Sequence, residues 1–130
     1  MRAVDTNILL RIIVQDDPSQ VPAAMRTLEE PALVGFGVLL EIAWVLHSTY
    51  GRPRGEIATT LAALLDVPTV HVPDAAGVRW AIERYRDHKA DFADMLHIVA
   101  ARGSSSFASF EKHLGRRAGP NSPLPIERPA

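Results

Sequence analysis

The sequence predicts an α/β sandwich around a mainly parallel sheet of four to five strands. The alternation of its elements predicts it. Short apolar or β-branched runs alternate with longer runs of helical spacing along the whole chain, the pattern of parallel strands joined by helices. Such parallel sheets present ligands at the carboxyl ends of their strands. With 130 residues, 47% of them apolar, the chain has the size and core of one domain. That domain is expected over residues 1–118, with a proline-rich tail over 119–130.

The elements follow in order. Arg2 to Val4 forms a short buried strand that runs into a polar corner, Asp5-Thr6-Asn7. The apolar run Ile8 to Val14 makes a first helix. It stops by Asp16-Asp17-Pro18, because proline disfavours helix in the residue before it. Ser19 suits the N-cap of a second helix ending near Glu30-Pro31. Ala32 to Phe36 reads as a second strand. A strongly apolar helix then runs from about Val38 to Tyr50, closed by Gly51. Pro53 to about Asp66 is another helix, and Thr69 to Val72 a third strand. Asp74 should cap a charged amphipathic helix reaching about Lys89, and Asp91 should open a further one to about Arg102. Ser104 to Phe107 is the expected fourth strand. In the tail, Leu124 to Ile126 offers a short edge strand.

Composition excludes several chemistries. The chain has no cysteine, which removes disulfides, thiolate zinc sites and cysteine nucleophiles. The formal net charge is −1, so a nucleic-acid partner must be argued from local geometry. No run approaches the roughly 18 apolar residues of a membrane span, and no signal-peptide form precedes the first charges. A cytoplasmic protein without membrane contact is expected. There is no phosphate-binding glycine loop with its lysine, no Gly-x-Gly-x-x-Gly after the first strand and no His-Glu-x-x-His.

The informative residues are acids in unexpected company. Glu41 stands in Val38-Leu-Leu-Glu-Ile-Ala-Trp-Val-Leu46, where eight of nine residues are apolar. A helix that apolar is expected to be buried almost all round, and a buried carboxylate is costly unless something binds it. Glu41 therefore either faces a polar cleft, lies on the one solvated stripe or pairs with an arginine. Asp5, at the end of the first strand, either caps the first helix or projects an oxygen ligand; Thr6 and Asn7 support the corner. Asp91 and Asp94 share one helical face by their spacing. That pair also fits a cap with a first-turn acid. Asp94 adjoins the apolar run Met95, Leu96, Ile98, Val99, which favours a ligand role. Glu111 and Ser109 follow the fourth strand. His97 reads as a boundary residue.

Several carboxylates without cysteine or paired histidines suit hard, oxygen-loving cations, of which Mg²⁺ and Mn²⁺ are the natural choices. Two such ions about 3.5–4 Å apart can cleave a phosphodiester without any serine or cysteine nucleophile.

The order of pieces resembles the PIN-domain family. Val4-Asp5-Thr6-Asn7-Ile8-Leu9-Leu10-Arg11, then Asp16-Asp17-Pro18, then Leu40-Glu41-Ile42-Ala43-Trp44-Val45-Leu46, then Ala90-Asp91-Phe92-Ala93-Asp94-Met95-Leu96-His97 carry the likeness. It looks most like the VapC toxins of prokaryotic toxin–antitoxin pairs. The resemblance implies a three-layer α/β/α fold and a metal-dependent endoribonuclease. By position, Asp5, Glu41 and Asp94 match the core acids and Asp91 an additional one. The family usually has Thr-Phe-Asp after the fourth strand. Here Ser109-Phe110-Glu111 keeps the hydroxyl and lengthens the acid by one methylene. The resemblance further implies a homodimer, a VapB-like antitoxin and a cellular RNA substrate such as tRNA. Arg79, Arg84, Arg86, His88 and Lys89, with Lys112, Arg116 and Arg117, would then form a basic rim for phosphates. A PIN-like module that binds RNA or protein without cutting, a small phosphatase and a DNA nuclease are the competing readings.

Overall fold

A computed structural model describes all residues, 1–130. It contains seven helices and five two-residue strands. The chain divides into two compact units, Met1–Ala75 and Ala76–Ala130.

The first unit carries β1 (Arg2–Ala3), α1 (Thr6–Val14), α2 (Val21–Thr27), β2 (Ala32–Leu33), α3 (Phe36–Ser48), α4 (Arg54–Asp66) and β3 (Val70–His71). Its three strands pair in the order β1-β2-β3, both ladders parallel. The pairing extends beyond the strands themselves, with the Val4 N–H donating to the Leu33 carbonyl at 3.1 Å and the Val34 N–H to that of His71 at 2.9 Å. Parallel neighbours need long crossovers, which the helix pairs α1–α2 and α3–α4 supply. Leu9, Val34, Leu39, Ile42, Leu46, Ile57 and Leu61 are fully buried. Gly51 ends α3 in the left-handed region, φ 61°, and donates to the His47 carbonyl, as the sequence predicts. Tyr50 ties the end of α3 to the loop after α1 by donating to Asp16 Oδ2 at 2.5 Å.

The second unit carries α5 (Ala75–Asp87), α6 (Phe92–Ala100), β4 (Phe107–Ala108), α7 (Leu114–Ala118) and β5 (Ile126–Glu127). β4 and β5 pair in parallel, with the N–H of Phe107 on the Pro125 carbonyl and that of Ser109 on the Glu127 carbonyl, each at 2.9 Å. Val78, Ala81, Met95, Leu96 and Ile98 are buried on α5 and α6. Tyr85 and Phe92 meet with ring centroids 5.6 Å apart.

The α/β class stands, and the five strands are all parallel. They are hydrogen-bonded as a set of three and a set of two; strands of two residues leave few ladder groups with which to propagate one sheet. Other details differ from the sequence expectation. Gln20 takes the N-cap position of α2, because Pro22 suits the first turn; Ser19 donates instead to Asp17 Oδ1. The same helix stops at Thr27, and the Thr69 hydroxyl satisfies the Leu28 carbonyl at 2.6 Å. Phe36 opens α3 with Gly35 as N-cap, where a strand was expected. Asp74 stands at φ 48° and not in the extended conformation of an N-cap. α7 was not foreseen.

Candidate active site

In the first unit, β1 delivers the chain to Asp5 just before α1 begins. Asp5 is the N-cap, in extended conformation, and its Oδ1 accepts the Ile8 N–H at 3.3 Å. The capping reading is therefore realised, and the side chain remains exposed with its second oxygen free for other work. Thr6 is buried, 6% exposed, and Asn7 is exposed. Glu41 lies mid-way along α3. The expectation of a helix buried almost all round is corrected here. α3 buries only Leu39, Ile42 and Leu46, one helical stripe. Glu41 is on the exposed side with Trp44, which is 67% exposed. The apolar composition of α3 thus does not bury its carboxylate.

In the second unit two acids, Asp91 and Glu111, come within electrostatic reach of a third, Asp94. Asp91 caps α6, its Oδ1 accepting the Asp94 N–H at 2.9 Å. Asp94 follows in the first turn, half-buried. Its carboxyl is held above the usual carboxylate range, first by burial and then by the negative charge of Asp91. Glu111 raises it further, whereas His97 and Arg117 pull it down. Glu111 follows β4, and two hydrogen bonds fix it. Its N–H donates to Ser109 Oγ at 3.1 Å, and its Oε1 accepts the His113 N–H at 3.2 Å. Ser109 thereby orients the backbone that carries the acid. No three histidine, aspartate or glutamate side chains are gathered into a set able to hold a metal ion.

The cations divide by exposure. Arg79, Arg86, Lys89, Lys112 and Arg116 are exposed, while Arg84 and Arg117 are half-buried. Arg84 is turned inward: its Nε donates to the Arg117 carbonyl at 2.6 Å and its terminal nitrogen to that of Arg116 at 3.2 Å. Of the residues expected in an RNA-facing rim, Arg84 is thus the one whose nitrogens also bond the last carbonyls of α7. Sequence reasoning also missed Arg117 as a charge felt by Asp94, and no local signal announces it.

A model of the PIN domain matches residues 2–119. The chain belongs to the PIN-domain family. No curated protein and no solved structure matches it. The PIN domain is a nuclease-type fold, and its members generally cleave nucleic acid with divalent metal ions. The donor chemistry of this PIN chain fits such ions. Its candidate acids offer oxygen only, and a divalent cation would offset both the burial and the neighbouring negative charge that raise the Asp94 pKa. No helix is long and apolar enough to cross a membrane.

Proposed function

We propose that this PIN-domain chain is a Mg²⁺- or Mn²⁺-dependent endoribonuclease, the toxin component of a VapC-like toxin–antitoxin pair. Asp5, Glu41 and Asp94 are its catalytic acids, and Asp91 and Glu111 complete the metal-binding set. Thr6, Asn7 and Ser109 support them. The observation that carries the reading is Asp94 on α6, whose carboxyl is held above its ordinary range first by burial and then by the charges of Asp91 and Glu111. Perturbed acids of this kind concentrate at functional sites. Bound divalent metal supplies an activated water and charge stabilisation for phosphodiester cleavage. Of the chain's own residues, Asp5 orients its free carboxylate oxygen through the α1 cap, and Asp91 fixes the turn that presents Asp94. Ser109 and the His113 N–H hold Glu111 in place. Arg79, Arg86, Lys89 and Lys112 form the basic rim that receives RNA phosphates. A VapB-like antitoxin, a second copy of the chain and a structured RNA such as tRNA are the expected partners, in the cytoplasm.

One observation favours a second reading, that the module binds RNA or protein without cutting: Glu111 already gives one oxygen to the His113 N–H. Incubation of the purified chain with total cellular RNA and Mn²⁺, beside EDTA and Asp94→Asn controls, separates the two. Discrete metal-dependent fragments that vanish in the variant are expected. Intact RNA with a folded, antitoxin-free protein would move the assignment to the binding-only reading.

A further inference from the structure

Arg84, in the last turn of α5, is bonded to both acid-bearing segments of the second unit. Its backbone serves the first. The Arg84 carbonyl accepts the His88 N–H at 3.0 Å and the Ala90 N–H at 3.3 Å. Those bonds hold the reversal at Lys89, φ 57°, through which the chain enters Asp91 and α6. Its side chain serves the second. Nε donates to the Arg117 carbonyl at 2.6 Å and a terminal nitrogen to that of Arg116 at 3.2 Å.

α7 has only five residues, and so short a helix is not stable by itself. The bonds at its two ends therefore decide where it lies. At its C-terminal end the guanidinium is packed on Gly119, where a Cβ would stand 2.7 Å from its central carbon. At its N-terminal end the His113 N–H donates to Glu111 Oε1 and the Leu114 N–H to the Glu111 carbonyl, each at 3.2 Å. The direction of the Glu111 carboxylate is thus set by where α7 begins, and α7 is pinned by Arg84. A guanidinium suits the task, because its planar fork reaches two carbonyls at once. Groups that orient a metal ligand tune the affinity of the site without touching the ion. We propose that Arg84 is a positioning residue: it ties the Glu111 turn to the segment entering Asp91, and so orients the Glu111 carboxylate for a divalent cation. This rests on the metal-binding reading of Glu111 above.

The test uses the full chain without RNA, with free Mn²⁺ read by electron paramagnetic resonance during titration. Glu111→Gln should weaken Mn²⁺ binding. Arg84→Ala should weaken it about 10-fold, the scale of losing a group that orients a ligand. Added to Glu111→Gln, Arg84→Ala should change the affinity by less than about twofold, because both residues act through one carboxylate. In the metal-free chain, Arg84→Ala should move the His113 amide proton upfield as its bond to Glu111 loosens. The Asp94 amide, held by Asp91, should stay in place. Circular dichroism verifies folding. Should Arg84→Ala unfold, Arg84→Lys, which keeps the charge and loses the fork, carries the same comparisons. Wild-type Mn²⁺ affinity in a folded Arg84 variant overturns the positioning role. So does an equal loss with and without Glu111→Gln, the mark of a general loosening. Equal Mn²⁺ affinity in wild type and Glu111→Gln overturns Glu111 as a ligand, and this inference with it.

Discussion

The Asp91 carboxylate accepts the backbone N–H of Asp94 at 2.9 Å, so one aspartate fixes the turn from which the other projects. The cap satisfies an orphan donor at the start of α6. It also keeps two negative charges close together, which is one of the causes that raise the Asp94 pKa. A structural cap and a candidate ligand set are therefore the same local arrangement seen for two purposes.

If these acids bind a divalent ion, the ion stabilises the folded chain by mass action. Mn²⁺ at about 100 times its dissociation constant contributes about 2.7 kcal/mol, which for a chain of this size raises the Tm by about 10 °C. Thermal scans with Mn²⁺ and then with excess EDTA should show the rise and its reversal. Asp5→Asn, Glu41→Gln and Asp94→Asn should each blunt the rise and lower cleavage at least about 100-fold, the effect of losing about 3 kcal/mol of transition-state stabilisation. A full Mn²⁺ response in all three would show that the ion binds elsewhere.

The pH dependence of the metal-free chain follows from the direction of the Asp94 shift. Burial, Asp91 and Glu111 raise its folded pKa above the unfolded value, so the folded state binds the proton more tightly. That favourable contribution is full below the ordinary carboxylate range and is lost as pH rises through the folded pKa. Asp94→Asn removes the unfavourable charge. In EDTA, the variant should therefore unfold at a higher temperature than wild type at pH 7, and the advantage should shrink or reverse near pH 3. A variant less stable than wild type at pH 7 would mean that the Asp94 carboxylate is held by favourable contacts.

Arg84 makes a separate structural prediction. Its guanidinium caps α7 through the carbonyls of Arg116 and Arg117, and a Cβ built on Gly119 would meet its central carbon at 2.7 Å. Gly119 also stands at φ 76°. Arg84→Ala should cost about 1–3 kcal/mol, the penalty of leaving partly buried carbonyls unpaired. Gly119→Ala should also destabilise, through both backbone strain and displacement of the guanidinium. Urea unfolding measures both, and a midpoint unchanged in Arg84→Ala would show that water replaces the guanidinium without loss.

The basic rim predicts a salt dependence. Binding of single-stranded RNA in EDTA should weaken as salt rises, with a log–log slope of about −0.7 per neutralised phosphate. Lys112→Ala and Arg86→Ala should each make that slope shallower by about 0.7, whereas Arg84→Ala should leave it unchanged. Affinity that is flat from low to high salt would remove the rim.

The sequence by itself determined what depends on neighbours in the chain. Asp91 as the cap of α6, Asp5 at the β1–α1 corner and the Gly51 stop of α3 are local matters of backbone hydrogen bonding, and proline, glycine and aspartate signal them directly. The strand–helix alternation likewise announced the α/β class, and the order of acid-bearing segments announced the family. Tertiary structure alone decided which faces were buried. α3 is apolar nearly throughout, yet packing covers only the Leu39, Ile42 and Leu46 stripe, so Glu41 is exposed where its sequence neighbours suggested burial. The same holds for β4, placed at Phe107–Ala108 by the carbonyls of Pro125 and Glu127, for the inward turn of Arg84, and for the charges of Glu111 and Arg117 felt by Asp94. Each depends on groups distant in sequence, and periodicity and local propensity contain no term for such partners.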